Sequence, residues 1–246
     1  MVRALNKTNV TDIYISIVLF LLPAITAAAD NRNLAKTPNY SVQSDIKTTD
    51  SSASPQSSLY LQFNTSELFA SLSDWKNQLH LSDGSHPSSN CIVFGAEAGW
   101  IIKEFIQIGT GYEFFFTTKI TAKEASGNQV NSAFFYGTVK ANIPIVSVPN
   151  LYLFGGLDIG RLKATEAVEN FYYSGGSFDR TGETTAYRVL FGAQYYLIEN
   201  WSISAGTGYL FGKIKNVTLD NQTWPNYSLD LSGFLIRFAV NYHFNF

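Results

Sequence analysis

The final segment of the chain, 234–246, alternates between large apolar residues and mostly polar ones. Arg237, Asn241 and Asn245 stand among the intervening residues. A period of two places successive side chains on opposite faces of a β-strand, so the segment predicts a strand with one apolar face. That face would consist of Phe234, Ile236, Phe238, Val240, Tyr242, Phe244 and Phe246.

The same alternation recurs in seven earlier segments. In nearly all of them the second face carries Gly, Ser, Gln or a charged residue. Together the eight segments predict an all-β protein with eight antiparallel strands. The earlier segments are 59–63, 94–100, 106–116, 135–143, 153–160, 187–197 and 201–211.

In a soluble barrel the large apolar residues fill the interior. Here the small and polar residues share a face with the charges, which indicates the inverse arrangement, with the large apolar residues outside. Lys140, Arg188 and Arg237 all lie on that face. A Lys or Arg facing lipid at mid-depth costs about 2–4 kcal/mol, so we expect the large residues to face lipid. Lipid offers no partner to an open sheet edge, so the strands must close into a transmembrane barrel. The alternative, a soluble sandwich or lipocalin-like barrel, predicts large apolar residues on the lumen face.

The connections between segments alternate in length, which predicts an up-and-down topology with short periplasmic turns, longer extracellular loops and both termini on the periplasmic side. The short connections lie near 102–104, 144–150 and 198–200. The long connections are 65–90, 117–132, 162–184 and 213–228.

Residues 1–29 have the features of a signal peptide. Arg3 and Lys7 give a positive start, an apolar run follows at 13–22, and small residues precede the expected cleavage after Ala29. A transmembrane anchor is the alternative, but a spanning helix needs about 20 apolar residues. We therefore expect an exported protein.

Residues 30–57 are rich in Ser, Thr, Asn and Asp and contain Pro38 and Pro55. A segment with so little to bury cannot offset the entropy of ordering, so we predict a disordered periplasmic tail. The barrel domain would then occupy 58–246.

In these features the chain resembles the small eight-stranded outer-membrane barrels of Gram-negative bacteria, such as the OmpA transmembrane domain, OmpX and the opacity proteins. The resemblance covers the signal peptide, the alternating segments and the aromatic segment 234–246. It implies a bacterial outer-membrane location and contact with outer-membrane lipid and lipopolysaccharide. The closing segment is similar to the signal by which barrel-assembly machinery recognises its clients, so that machinery and periplasmic chaperones are implied partners.

Six charged residues are predicted to point into the lumen, three acidic and three basic. An eight-stranded barrel is just wide enough for side chains to fill, so opposite charges can pair and plug it. A narrow or gated ion path is the alternative. The six residues are Glu97, Glu113, Lys140, Asp158, Arg188 and Arg237.

Several residues outside the lumen are candidates for contacts with other molecules. Arg161 and Lys213 continue the outward faces at the outer rim, where they would contact lipopolysaccharide phosphates or simply reach into the interface. Aromatic residues in the third and fourth long loops suit recognition of a host or surface protein, although they could also fold onto the barrel mouth. These aromatic residues are Phe171, Tyr172, Tyr173, Phe178, Trp224 and Tyr227.

The first long loop carries two further weak signals. Leu68, Leu72, Trp75 and Leu79 follow helical spacing and predict a short amphipathic helix. The segment 80–86 contains Ser, His and Asp residues, as a hydrolase would need, but no recognisable motif surrounds them. A solvated loop is the simpler interpretation.

Composition excludes several classes of protein. The net charge is −2, without the basic stripe of a nucleic-acid-binding protein. A single Cys excludes an internal disulfide and a Cys-rich zinc site, and we predict no cofactor, metal or catalytic residues. The sequence therefore predicts a non-enzymatic envelope protein whose loops suit adhesion or partner recognition. A narrow pore is the alternative, and a lipid A-modifying enzyme is the third option.

Overall fold

The computed structural model describes residues 57–73, 90–103, 105–117, 129–168, 178–198, 200–215, 217–219, 222–223 and 227–245. The predicted signal peptide, 1–29, and nearly all of the predicted tail, 30–57, lie outside these residues. In the described part of the chain, helical residues nowhere reach the length and hydrophobicity that a membrane span requires.

Eight long antiparallel strands, numbered here in chain order, form the fold. Each strand pairs with its neighbours in sequence, and β8 pairs with β1, so the sheet is closed. This confirms the predicted eight-stranded up-and-down barrel. The strands are β1 (Ser58–Ala70), β2 (Asn90–Ile102), β3 (Ile106–Thr117), β4 (Gln129–Pro144), β5 (Leu151–Val168), β6 (Phe178–Ile198), β7 (Trp201–Phe211) and β8 (Gly233–Asn245).

Three short connections, between β2 and β3, β4 and β5, and β6 and β7, lie at one end of the barrel, which we call the turn end. The opposite end is the loop end. After β7 the chain forms four strands of two residues each near the loop end. They are Lys213–Ile214, Thr218–Leu219, Gln222–Thr223 and Leu229–Asp230.

The strands are strongly tilted. A path across paired residues starts at Ser58 and returns to β1 at Leu68, ten residues further along the strand. Such a stagger accompanies a tilt of about 35–45° and leaves an interior that side chains fill. The path runs through Ser58, Ile101, Gln107, Lys140, Gly156, Leu190, Gly208, Leu235 and Leu68.

The large residues point outward, as the alternation predicts. In β8, Phe234 and Phe238 are exposed while Arg237 is buried inside the barrel. Phe246 lies outside the described residues. The exposed apolar residues form a continuous band around the barrel, which we call the apolar belt. It includes Phe63, Phe94, Trp100, Ile108, Phe114, Phe135, Val139, Leu157, Ile159, Tyr187, Phe191, Tyr209, Phe211, Phe234 and Phe238.

The strands extend further toward the loop end than the sequence analysis predicted. Most of the predicted loop 162–184 is a paired hairpin, since β5 and β6 remain in register as far as Val168 and Phe178. The predicted helix from Leu68 is also wrong at its first turn, because Leu68 lies in β1 between Cys91 and Leu235. Its side chain is fully buried in the lumen. Cross-strand pairing and burial thus outweigh the helical spacing.

The interior is polar only in part. The prediction of a polar inner face is correct at the turn end and in the middle, but wrong toward the loop end. There the inward side chains form an apolar layer, so both faces of the strands are apolar at this height.

 This layer consists of Leu68, Val93, Phe115, Phe134, Leu162, Ala186, Leu210 and Leu235, with Ile214, Leu229 and Leu231 beyond them.

Candidate functional site: the closed lumen and the loop-end rim

The six charged residues predicted to face the lumen lie together at the middle of the barrel, and we call them the charge cluster. All are buried, with relative exposures of at most 5%. Glu97 pairs with Lys140 and lies 3.4 Å from Arg237. Because a buried ion pair is tolerated only when its charges are compensated, this proximity explains how three acidic and three basic side chains share one interior.

Arg188 holds the other half of the charge cluster. Its guanidinium pairs with Glu113 through two hydrogen bonds, one of them 3.1 Å long, and its Nη2 lies 2.7 Å from Asp158 Oδ2. Arg237 lies 3.5 Å from Glu113 and so links the two halves. The three carboxylates and three cations balance, which leaves the middle of the lumen electrically neutral overall.

Two tyrosines complete the charge cluster, and neither was singled out from the sequence. Tyr60 donates a hydrogen bond to Glu97 Oε1 at 2.7 Å. The hydroxyl of Tyr136 lies 3.1 Å from both Glu97 and Glu113, and Arg188 stacks over its ring at 4.7 Å. The period-two alternation of β1 and β4 places both tyrosines on the inner face, and this was the sequence signal that could have identified them. With these tyrosines, every barrel strand except β7 contributes to the cluster.

Glycines in β3 make room for these tyrosines. A Cβ added to Gly109 would lie 2.6 Å from the Tyr60 hydroxyl, and one added to Gly111 would overlap the Tyr136 ring. The two glycines belong to a four-residue sequence, Gly-Thr-Gly-Tyr, that recurs in β7 at 206–209. In β7 the corresponding glycines accommodate Phe154 and Leu190. The recurring motif therefore marks places where a large lumen side chain lies against a strand.

A second polar group, the turn-end cluster, lies between the charge cluster and the short turns. Ser202 Oγ is 2.8 Å from His243 Nε2, a pairing that resembles a nucleophile and its base. The Oγ atom also accepts hydrogen bonds from Gln194 at 2.9 Å and Asn241 at 3.0 Å. Ser202 is fully buried, and among the residues that the structure describes His243 Nδ1 has no hydrogen-bond partner. This arrangement fits a structural network and gives a substrate no access to the hydroxyl.

The candidate hydrolase residues of the first long loop, at 80–86, lie outside the described residues. Sequence spacing does not connect His243 with Ser202, since the two residues are 41 positions apart. Only the pairing of β7 with β8 brings them together.

A small cavity of about 10 Å³ adjoins the charge cluster. Lys140, Arg237, Gln62 and Ser204 supply its polar walls. This volume holds about one water molecule. Toward the loop end lies the apolar layer, whose side chains are buried against one another, and Arg188 lies 5.5 Å from the ring of Phe134 at the boundary.

A buried polar contact that we call the Tyr227 clasp lies beyond the apolar layer. Tyr227 donates a hydrogen bond to Glu166 Oε2 at 2.6 Å, and Arg180 lies 3.5 Å from the same oxygen. The Arg180 guanidinium also stacks over the Tyr227 ring at 4.6 Å. Burial raises the pKa of the Glu166 carboxyl, although Tyr227 and Arg180 oppose the shift. The clasp attaches the segment before β8 to the β5–β6 hairpin.

Tyr227 follows the second of the two interpretations left open for the loop aromatics, because it folds onto the barrel mouth with only 3% of its surface accessible and is not an exposed recognition residue. Its ring and hydroxyl find partners on the hairpin, which the sequence analysis had treated as a loop. Phe178 begins β6, and its side chain is not described. The other aromatic candidates, Phe171, Tyr172, Tyr173 and Trp224, lie outside the described residues.

The two candidate cations at the rim are exposed. Arg161, in β5, forms an ion pair with Glu183 of β6 at 2.7 Å, and the side chains are 66% and 56% exposed. Lys213 follows β7 and lies opposite Asp230. The structure adds two exposed lysines that the sequence analysis did not single out, Lys163 and Lys215.

No known sequence family matches the chain, and no curated protein matches it either. Among solved structures, Neisserial surface protein A (Neisseria) aligns with a TM-score of 0.50 at 15% identity, covering 76% of this chain and 97% of that protein. OprG of Pseudomonas aeruginosa aligns with a TM-score of 0.47 at 8% identity, covering 77% and 96%. Ail of Yersinia pestis gives 0.44 at 16% identity, covering 77% and 98%. Identities this low show the fold alone, and the chain has the fold of the small eight-stranded outer-membrane β-barrels.

Proposed function

We propose that this protein is a non-enzymatic barrel of the bacterial outer membrane that presents its loop end to the outside and does not conduct ions. The closed lumen is the observation that carries the proposal. In this interpretation the protein supports the envelope and offers its outer surface to lipopolysaccharide and to other molecules.

The outer surface of the barrel supports a membrane location. Phe63 and Phe191 are 61% and 59% exposed, a cost in water that a lipid environment removes. Trp100 and Trp201 lie toward the turn end, while Tyr187 and Tyr209 lie toward the loop end. Aromatic residues at both edges of an apolar band are typical of membrane barrels.

The arrangement of side chains inside the barrel favours a sealed barrel rather than a pore. An ion would have to separate the pairs of the charge cluster and then cross the apolar layer. Separating a buried pair leaves uncompensated charge in a medium of low dielectric constant, and the apolar layer offers an ion no ligands. A gated pore is the alternative, and it requires both barriers to move.

Planar-bilayer recordings test this proposal. The purified full-length mature chain should fold into vesicles, migrate differently in unboiled and boiled gel samples, and show no unitary conductance steps. A known porin in the same bilayers supplies the positive control. Reproducible ion-selective steps from the folded protein would replace this proposal with the pore, and recovery of the protein from the soluble periplasm would contradict both.

Four further interactions belong to the proposal. The outward residues of β8 would be read by barrel-assembly machinery, periplasmic chaperones would escort the unfolded chain, and the long loops would recognise a host or surface protein. Arg161 and Lys213 would contact lipopolysaccharide.

The third option, a lipid A-modifying enzyme, predicts a changed acyl pattern of lipid A when the gene is deleted.

A further inference from the structure

Four exposed cations lie together on the outer surface at the loop end, immediately beyond the apolar belt. They are Arg161 and Lys163 in β5, and Lys213 and Lys215 after β7. We call these four residues the rim patch. Ile159 precedes the patch on β5 and is 48% exposed, so the patch is continuous with the surface proposed to face lipid.

Strand pairing arranges the rim patch as two columns. Arg161 is paired with Thr185 and Lys163 with Glu183, both on β6. On the other side of β6, Tyr187 is paired with Phe211, and Lys213 follows two residues later. Neighbouring strands are about 4.8 Å apart and alternate residues about 6.6 Å apart. The columns are therefore separated by roughly 10 Å, with β6 between them.

Two carboxylates accompany the four cations of the rim patch. Glu183 forms the 2.7 Å ion pair with Arg161 and lies opposite Lys163 in the strand register. Asp230 is paired with Lys213 on the neighbouring strand. The described part of this surface keeps an excess of positive charge, and Glu183 lies between the two columns.

We propose that the rim patch binds an outer-leaflet amphiphile bearing two phosphates, one at each column, and that Glu183 is a built-in counter-ion which the ligand displaces from Arg161. This inference rests on the proposed outer-membrane location. The part of lipopolysaccharide that the rim patch would bind is lipid A. Continuity with the apolar belt favours a phosphate attached to acyl chains. Arg161 offers paired donors to one phosphate, and the lysines add point charges to both.

Because the protein itself supplies four cations, binding should not require a bridging divalent cation. The removal of Glu183 should strengthen binding, since the ligand no longer has to break the Arg161 ion pair. Each neutralised patch cation should weaken binding about fivefold, the loss expected for one basic residue at a charged membrane surface.

Binding is tested with the mature chain folded in phosphatidylcholine vesicles, using diphosphoryl and monophosphoryl lipid A as probes in the presence of EDTA. The folded wild type should retain the diphosphoryl lipid several-fold better. Arg161→Gln and Lys213→Gln should each lose about fivefold, and Glu183→Gln should bind more tightly. Lys103→Gln is the matched control, because Lys103 is an exposed lysine at the turn end.

Equal retention of the two lipids, loss of binding in EDTA, equal losses in Lys103→Gln and Lys213→Gln, or weaker binding by Glu183→Gln would each overturn the inference. Gel mobility in unboiled samples separates this failure from failure of the proposed function. A protein that inserts and folds but does not distinguish the lipids contradicts only the rim-patch inference. A protein that does not insert contradicts the proposed membrane location as well.

Discussion

Arg188 in β6 and Glu113 in β3 lie 75 positions apart in the chain, yet their side chains meet through two hydrogen bonds at the centre of the barrel. The strands β3 and β6 are not neighbours in the sheet. The contact crosses the lumen and connects opposite walls, so the charge cluster both closes the barrel and ties distant strands together.

The first prediction concerns this ion pair. Glu113→Ala leaves Arg188 and Arg237 with too little negative charge, and breaking a buried pair in this way costs about 3–5 kcal/mol of unfolding free energy. Urea unfolding in vesicles measures the loss. Glu183→Gln, at an exposed ion pair, should change stability by less than about 1 kcal/mol. Equal effects of the two substitutions would mean that the buried cluster contributes no more than a surface pair.

The second prediction concerns the glycines that accommodate the lumen tyrosines. Gly111→Ala should cost about 1–3 kcal/mol, because the new methyl group must displace the Tyr136 ring from Glu97 and Glu113. Gly137→Ala is a matched control in the adjacent strand, since the nearest atom to its added Cβ lies 3.9 Å away. Both variants are compared by urea unfolding, and equal stability would contradict the steric explanation.

The third prediction concerns the depth of the apolar belt. Phe191→Arg, in the middle of the belt, should cost about 2–4 kcal/mol in a bilayer, whereas Thr185→Arg near the rim should cost about 0–1 kcal/mol. The test is equilibrium unfolding from vesicles of both variants. If the two arginines cost the same, the surface around Phe191 does not face the hydrocarbon core.

The fourth prediction is a pH dependence at the Tyr227 clasp. Glu166 has a raised pKa in the folded protein, so folding favours its protonated form. The contribution of protonated Glu166 to the free energy of unfolding is fully present below the pKa of the unfolded state, about 4.3. It falls as the pH rises toward the higher folded pKa and is constant above it. Glu166→Gln should remove this slope from the pH profile of unfolding free energy in vesicles, and an unchanged slope would assign it to another group.

Much of the architecture is already contained in the alternation of the chain. A period of two predicts strands, and the association of Arg237 and Lys140 with the smaller residues identifies the inner face. Closure follows because open sheet edges are costly in lipid. The exposed Phe238 beside the buried Arg237 agrees with this prediction.

The polar partners inside the barrel could not be predicted in the same way. Which residues meet across the lumen depends on the stagger between Ser58 and Leu68, and local sequence does not specify that stagger. The contact between Arg188 and Glu113 depends on it. Ser202 meets His243 through the register of β7 against β8, and Tyr227 reaches Glu166 through the path of the segment before β8, neither of which local sequence specifies.

The sequence by itself therefore determined which residues face lipid and which face inward, because that choice repeats every two residues along each strand. Only the tertiary structure decided that the lumen is closed by paired charges and an apolar layer. The physical reason is that side-chain direction is local, whereas the height at which two inward side chains meet depends on the tilt of all eight strands together.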